Sequence, residues 1–266
     1  MNFAVVFFIM AVITLTSDLG LKDFYLPAIK GYILSKVPTC NIIDISHNIS
    51  PFNIAEAAFV VRNCYEEFPA RTVHIINVET HHEDNEDYLL VQHKNQYFVA
   101  KNNGIISLIT DSRFEKAILL NQKSRTDLLF PLRELLARAA VRIALNGNEY
   151  DLGSQIKDYK TITNLNPILE KDVIRGTILY IDNYGNAITN MNKSHIDRYF
   201  PFNKIKISFS RRNTIDKLSM LYSDVEEGEA LCLYGITGLL EIAINKASAS
   251  QLLGLQVKNK ILVEFE

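Results

Sequence analysis

The sequence has almost no surplus of either charge: 28 Lys and Arg stand against 30 Asp and Glu, for a formal net charge of −2. That balance provides no basic surface for nucleic acid or an anionic membrane, so the expected partner is a small molecule. Cysteine is scarce and odd in number. Cys40, Cys64 and Cys232 lie far apart, which excludes a disulfide framework or a cysteine zinc site and fits reduced thiols in a cytoplasm. No G-x-G-x-x-G follows a strand-like run, which disfavours a dinucleotide oxidoreductase. No apolar run is long enough to span a bilayer. The longest, Phe3 to Leu15, has no Lys or Arg before it and no small-x-small cleavage site, so it reads as a long buried strand in preference to a signal peptide.

What is present is a chain of 266 residues, 48% hydrophobic and 22% charged, enough for two ordinary domains. The run Val12 to Thr16 suits a buried strand and ends in Ser17-Asp18-Leu19-Gly20; Phe24 to Leu34 reads as the following helix. Asn41 to Ile45 is a second strand ending in Ser46-His47, Pro51-Phe52-Asn53 opens a second helix, and Val73 to Val78 is a third strand. Tyr88–Gln92 and Gln96–Ala100 read as a hairpin, and Leu132 to Leu145 as a helix with one apolar face. The expected fold class is therefore α/β: an amino-terminal α/β sandwich-type domain (1–158), a linker (159–172) and a small carboxy-terminal β-barrel domain (173–266). In the second domain, 235–245 reads as a glycine-flanked turn leading into an apolar helix that continues to Leu253.

Three stretches offer chemistry. Asp18, at a strand end where α/β folds bind ligands, can accept two hydrogen bonds from a ribose diol; as a local feature it equally suits a helix N-cap. Asp182-Asn183-Tyr184-Gly185-Asn186 sets a carboxylate and a carboxamide around a glycine turn, a pattern common in turns that bind nothing. The third is the Gly235 to Asn245 stretch, whose backbone N–H groups at a helix start can hold a carboxylate.

Taken together, Thr16-Ser17-Asp18-Leu19-Gly20 with Tyr25 and Lys30-Gly31, Asp44-Ile45-Ser46-His47-Asn48-Ile49, Phe98-Val99-Ala100 with Asn103-Gly104, Ile181-Asp182 with Gly185-Asn186 and Thr189-Asn190, and Leu240-Glu241-Ile242-Ala243 with Asn245 resemble the S-adenosyl-L-methionine hydroxide adenosyltransferases and their fluorinating and chlorinating relatives. The resemblance covers nearly the whole chain. It implies S-adenosyl-L-methionine as substrate with no further cofactor, cleavage to adenosine and L-methionine by attack of water at C5′, and a homotrimer with each ligand between subunits. By the same resemblance Asp18 meets the ribose, Phe52 walls the nucleoside, Asn186 meets the adenine and Asp182 the methionine ammonium; Ser17, beside Asp18, is a further substrate-binding candidate, and where the family has a Ser in the Gly235 turn this chain has Ile236, which leaves Thr237 and the backbone to meet the methionine carboxylate.

The sequence departs from the family at the water-activating set of Asp, Arg and His, whose positions fall at Glu79, Glu86 and Pro131. Glu79 keeps a carboxylate, and His81 and His82 beside it can form a proton-relaying pair with it. A metal held by His81, His82 and nearby acids is a further reading, and a solvated acidic loop over 79–87 the plainest one. His47 is a second-rank candidate by its place at a strand end. Leu132, beside Pro131, crowds the hole a halide would need, which disfavours halide transfer. A protein that keeps the adenosine site but has lost turnover is the alternative to an enzyme.

Overall fold

The computed structural model describes residues 10–80, 86–121, 130–164, 166–199, 204–209 and 214–265. The chain forms two compact units and divides between Asn164 and Leu165, inside the segment read as a linker. The apolar run before Met10 lies outside the described residues.

The first unit is built on seven strands: β1 (Val12–Ser17), β2 (Asn41–Ser46), β3 (Val73–Asn77), β4 (Tyr88–His93), β5 (Gln96–Lys101), β6 (Lys116–Leu120) and β7 (Gly153–Gln155), in the order β2-β1-β3-β5-β4-β6-β7. The four strands β2, β1, β3 and β5 run parallel; β4, β6 and β7 are antiparallel to their neighbours. Alternate residues pack on opposite faces. Ile13, Leu15, Val73, Ile75, Leu90 and Val99 meet Ile29 and Ile33 of α1 (Tyr25–Lys36) and the helix of Arg138–Ala144. Ile76, Leu89, Val91, Phe98 and Ala100 meet Ala57, Ala58 and Val61 of α2 (Ile54–Arg62) together with α3 (Ile105–Thr110). From β1 the chain crosses to β2 on one side and then to β3 on the other, with α1 and α2 on opposite faces. The carboxyl ends of β1 and β3 are thus the switch point at which such sheets open a crevice.

One element escaped the periodicity. The α3 segment is buried on every side, so it carries no polar face to mark it as a helix. The helix expected from Leu132 begins as a π-helical stretch, Leu132–Ala137, before its regular part, α4 (Arg138–Ala144).

The second unit holds β8 (Ile168–Leu169), β9 (Val173–Ile181), β10 (Ala187–Asn192), β11 (Ile205–Ser208), β12 (Thr214–Ile215), β13 (Ala230–Tyr234), β14 (Leu239–Ile244) and β15 (Lys260–Phe265), with short helices α5 (Lys193–Asp197) and α6 (Ala249–Leu253). The order β12-β11-β15-β9-β10-β14-β13 is antiparallel throughout, and a bridge from Leu218 to Cys232 brings the two edges together in a nearly closed barrel. The expected helix start at 239–245 is corrected here. Those residues form β14, paired along its length with β13, and the helix begins only at Ala249. Apolar residues on both faces of a buried strand imitate a buried helix. Leu240 and Ile242 enter the barrel core, while Ala243 packs with Leu231 and Leu233 on the other side.

Candidate functional site

In the first unit three loops converge at the switch point, and Asp18 ties them together. The helix after β1 starts at Tyr25 and has no side-chain cap, so Asp18 is not an N-cap. Instead its Oδ2 accepts the backbone N–H of Phe52 at 3.0 Å and of Glu79 at 3.2 Å. Both donors sit at positive φ, 65° and 59°, a conformation that non-glycine residues hold only when fastened from outside. Phe52 is 63% exposed beside the switch point. Asn53, next in line, caps α2 by accepting the Glu56 N–H. Asp23, further along the β1–α1 loop, is an exposed carboxylate.

Glu79 is held from three sides. Besides its N–H on Asp18, its carbonyl accepts from Lys101 Nζ at 3.0 Å and its Oε2 accepts from Asn103 Nδ2 at 3.0 Å. Lys101 also pairs with Glu86, which is buried and receives the Tyr88 hydroxyl. Burial, with Glu86 adding to it, pushes the Tyr88 phenol well above its ordinary range. The expectation of a solvated acidic loop therefore fails at both described ends: Glu79 and Glu86 are anchored to the sheet through Lys101. His81 and His82 lie outside the described residues, and no metal-binding cluster occurs among the described ones.

Ser17 is 2% exposed and its Oγ lies 2.8 Å from His47 Nδ1. His47 Nε2 is 3.1 Å from Asp44 Oδ1, and Asp44 Oδ2 accepts from Lys30 of α1 at 2.5 Å. Burial raises the Asp44 carboxyl, but the hydrogen bond from Lys30 and the nearness of His47 outweigh it and hold it below the usual carboxylate range.

In the second unit Asp182 organises its own turn. Its Oδ1 accepts the N–H groups of Tyr184 and Asn186, and its Oδ2 accepts Asn186 Nδ2 at 2.9 Å. Gly185, at φ 85°, sits so close to Ser248 that a Cβ would meet its Oγ at 2.1 Å. Nearby, Glu241 is buried and accepts the Tyr222 hydroxyl at 3.0 Å. Burial raises the Glu241 carboxyl and the Asp182 charge adds to it, against the Tyr222 bond; Tyr222 itself is pushed up to about 12 by burial and these two carboxylates. Gly235 admits this carboxylate, since a Cβ there would overlap Glu241 Oε1. Thr237 lies in the β13–β14 turn, its Oγ1 accepting Leu239 N–H at 3.3 Å, and not at a helix start.

Thus the structure brings Asp18, Phe52 and Glu79 together in one unit and Asp182 and Asn186 in the other. Sequence reasoning gave no role to Lys30, Asp44, Lys101, Asn103, Tyr222 or Glu241. Lys30, Asp44, Asn103 and Glu241 stood inside the quoted motifs; the links of Lys101 and Tyr222 are tertiary and leave no spacing signal.

The same two-part organisation recurs in known proteins. Residues 13–153 match the SAM hydroxide adenosyltransferase N-terminal domain, and residues 176–262 match the C-terminal domain of the same name. The chain is 29% identical over 268 residues to (R)-S-adenosyl-L-methionine hydrolase of Methanocaldococcus jannaschii, covering 97% of each, and 24% identical to the Thermus thermophilus hydrolase, covering 90% of this chain and 94% of that one. It is 22% identical to a fluorinase of an Actinoplanes species over 70% of this chain and 74% of the other. In three dimensions it resembles an uncharacterized conserved protein from Thermotoga maritima, with TM-score 0.85 at 25% identity, across 95% of this chain and 99% of that one. With both units matched in order and the strand-end loops built as described, the chain belongs to the SAM hydroxide adenosyltransferase family.

Proposed function

We propose that the protein cleaves S-adenosyl-L-methionine to adenosine and L-methionine by attack of water at C5′. The observation that carries this reading is the fastening of the Phe52 and Glu79 loops to Asp18 at the switch point of a chain matched to the family in both units. The sulfonium is already an activated leaving group, so the protein's task is to hold water in line with the C–S bond, about 3–3.5 Å from the carbon, in a dry crevice. Glu79 receives a hydrogen bond from that water through Oε1, its other oxygen being held by Asn103. We assign the support of Glu79 to His81, two residues further along the chain.

Asp18 offers Oδ1 to the ribose, with Oδ2 engaged by the two loops; Asp23 is the second carboxylate of that loop and is tested beside it. Ser17 stands next to this contact and Phe52 covers the nucleoside. In the second unit Asn186 retains its carboxamide oxygen for the adenine amine, its N–H₂ being turned to Asp182. Asp182, with buried Glu241 close enough for their charges to be felt, gives the ammonium a negative surrounding. Thr237 and its turn meet the methionine carboxylate. We assign the protein a homotrimer with sites shared between subunits; exposed Leu21 and Phe24 beside the crevice favour a covered face. Three free thiols fit a cytoplasmic setting, and no helix among the described residues is long and apolar enough to cross a membrane.

The test is calorimetric titration with S-adenosyl-L-methionine followed by chromatography of the same sample for adenosine, 5′-chloroadenosine and methionine. Adenosine is the expected product. Binding without product would make this a nucleoside-binding protein, the reading favoured by Pro131, which has no proton-carrying group, and by the occupation of Glu86 with Lys101.

A further inference from the structure

Ser17, His47 and Asp44 form a string that runs from the buried carboxyl end of β1 to the open edge of the sheet. Ser17 closes β1 in register with Asn77 at the end of β3, beside the switch point. His47 is 4% exposed, whereas the Asp44 side chain, on edge strand β2, is 39% exposed. The protonation pattern follows from the donors and acceptors. Asp44, ionised beside Lys30, can only accept; His47 Nε2 lies 3.1 Å from its Oδ1, makes no well-directed hydrogen bond and has no other partner among the described residues, so the imidazole hydrogen is assigned to that nitrogen. Nδ1 is then the acceptor, and the Ser17 hydroxyl must donate to it. Of the two lone pairs of Ser17 Oγ, one receives the Leu19 N–H at 3.4 Å, which leaves the other for a donor such as water.

We propose that Ser17, His47 and Asp44 carry away the proton that the attacking water loses. This rests on the hydrolysis proposed above. As water oxygen bonds to C5′, the C5′–S bond breaks and its electron pair goes to sulfur, leaving neutral thioether. The water proton passes to Ser17 Oγ while the Ser17 proton passes to His47 Nδ1. The imidazolium so formed keeps its Nε2 proton against the Asp44 carboxylate and, once the products leave, returns the Nδ1 proton through Ser17 to solvent water, which restores the starting tautomer. One sulfonium and one water give adenosine, methionine and a released proton, so charge balances. Ser17 touches the reacting water; His47 and Asp44 act through it, with Lys30 keeping Asp44 ionised.

The experiment has two parts. In the free wild-type protein, ¹⁵N NMR of labelled histidine is expected to show His47 protonated on Nε2 and hydrogen-bonded on Nδ1; the Nδ1–H tautomer overturns the proposal whether or not the protein turns over. In turnover assays, Ser17→Ala and His47→Gln are each expected to lower kcat about 100-fold with KM little changed, as for loss of general-base assistance. The wild-type rate plotted against deuterium fraction is expected to curve, two protons moving together, and to become linear in Ser17→Ala, which leaves the His47–Asp44 pair intact. Wild-type kcat in both variants overturns the relay while leaving hydrolysis standing; absence of adenosine from the wild type instead refutes hydrolysis and this relay's role in it.

Discussion

Replacing Asp18 separates two jobs that one carboxylate is assigned. Its Oδ2 fastens Phe52 and Glu79, and each hydrogen bond to a charged acceptor contributes roughly 1.5–3 kcal/mol when buried. Asp18 is only half-buried, and the freed N–H groups can recover water, so the lower end applies: Asp18→Ala should cost about 2–3 kcal/mol. For a chain of this size that lowers Tm by roughly 5–10 °C, at 2–4 °C per kcal/mol. Asp18→Asn keeps an acceptor oxygen for the two loops at about half the strength, so its Tm should fall by only about 2–4 °C. The same change places an N–H₂ where the ribose needs Oδ1, and the loss of one charge-assisted bond should weaken S-adenosyl-L-methionine binding by roughly 10- to 100-fold. Scanning calorimetry reads the first quantity and titration calorimetry the second. An Asp18→Ala protein that melts with the wild type would refute the fastening argument. An Asp18→Asn protein that binds like the wild type would refute the ribose contact, leave Asp18 as a fastener alone, and pass the ribose to Asp23, whose Asn variant should then carry the affinity loss.

Other consequences are as direct. Glu79→Gln should lower kcat by about 10²-fold or more without weakening binding, if the carboxylate holds the water; an unchanged rate in a single-turnover assay would remove it from the chemistry. His74 is buried between Thr14, Gln96 and the Phe98 ring, and burial drops its pKa to about 4. The folded state thus binds fewer protons than the unfolded one below pH 6.5, so this stability is complete above that pH and is lost as pH falls toward 4; about 2 kcal/mol should be gone by pH 5. Urea midpoints at pH 7 and 5 should show this drop, reduced in His74→Gln. Gly235→Ala places a methyl group on Glu241 Oε1; overpacking of that kind costs about 1–3 kcal/mol. Expelling the carboxylate should also bring the Tyr222 titration down from about 12, measurable by phenolate absorbance.

Much of this protein was legible in its sequence because strand alternation and helix spacing are local. The run Val12 to Ser17, the Tyr88–Lys101 hairpin and the Asp182 turn are specified by neighbours within a few residues. The same locality placed Asp18, His47 and Glu79 at strand ends, where an α/β sheet exposes its loops. What only tertiary structure decided are links between distant positions. Asp18 reaches Glu79 across 61 residues, and Lys101 ties down both described ends of the acidic loop. Residues 239–244 became a strand and not a helix because β13 and β10 flank them, supplying hydrogen bonds that an apolar run does not announce. The sequence by itself determined that Asp18, His47 and Glu79 stand just beyond the ends of strands. Folding decided which of their atoms remain available for chemistry, because hydrogen bonds to main-chain N–H groups and buried cations consume some oxygens and leave others.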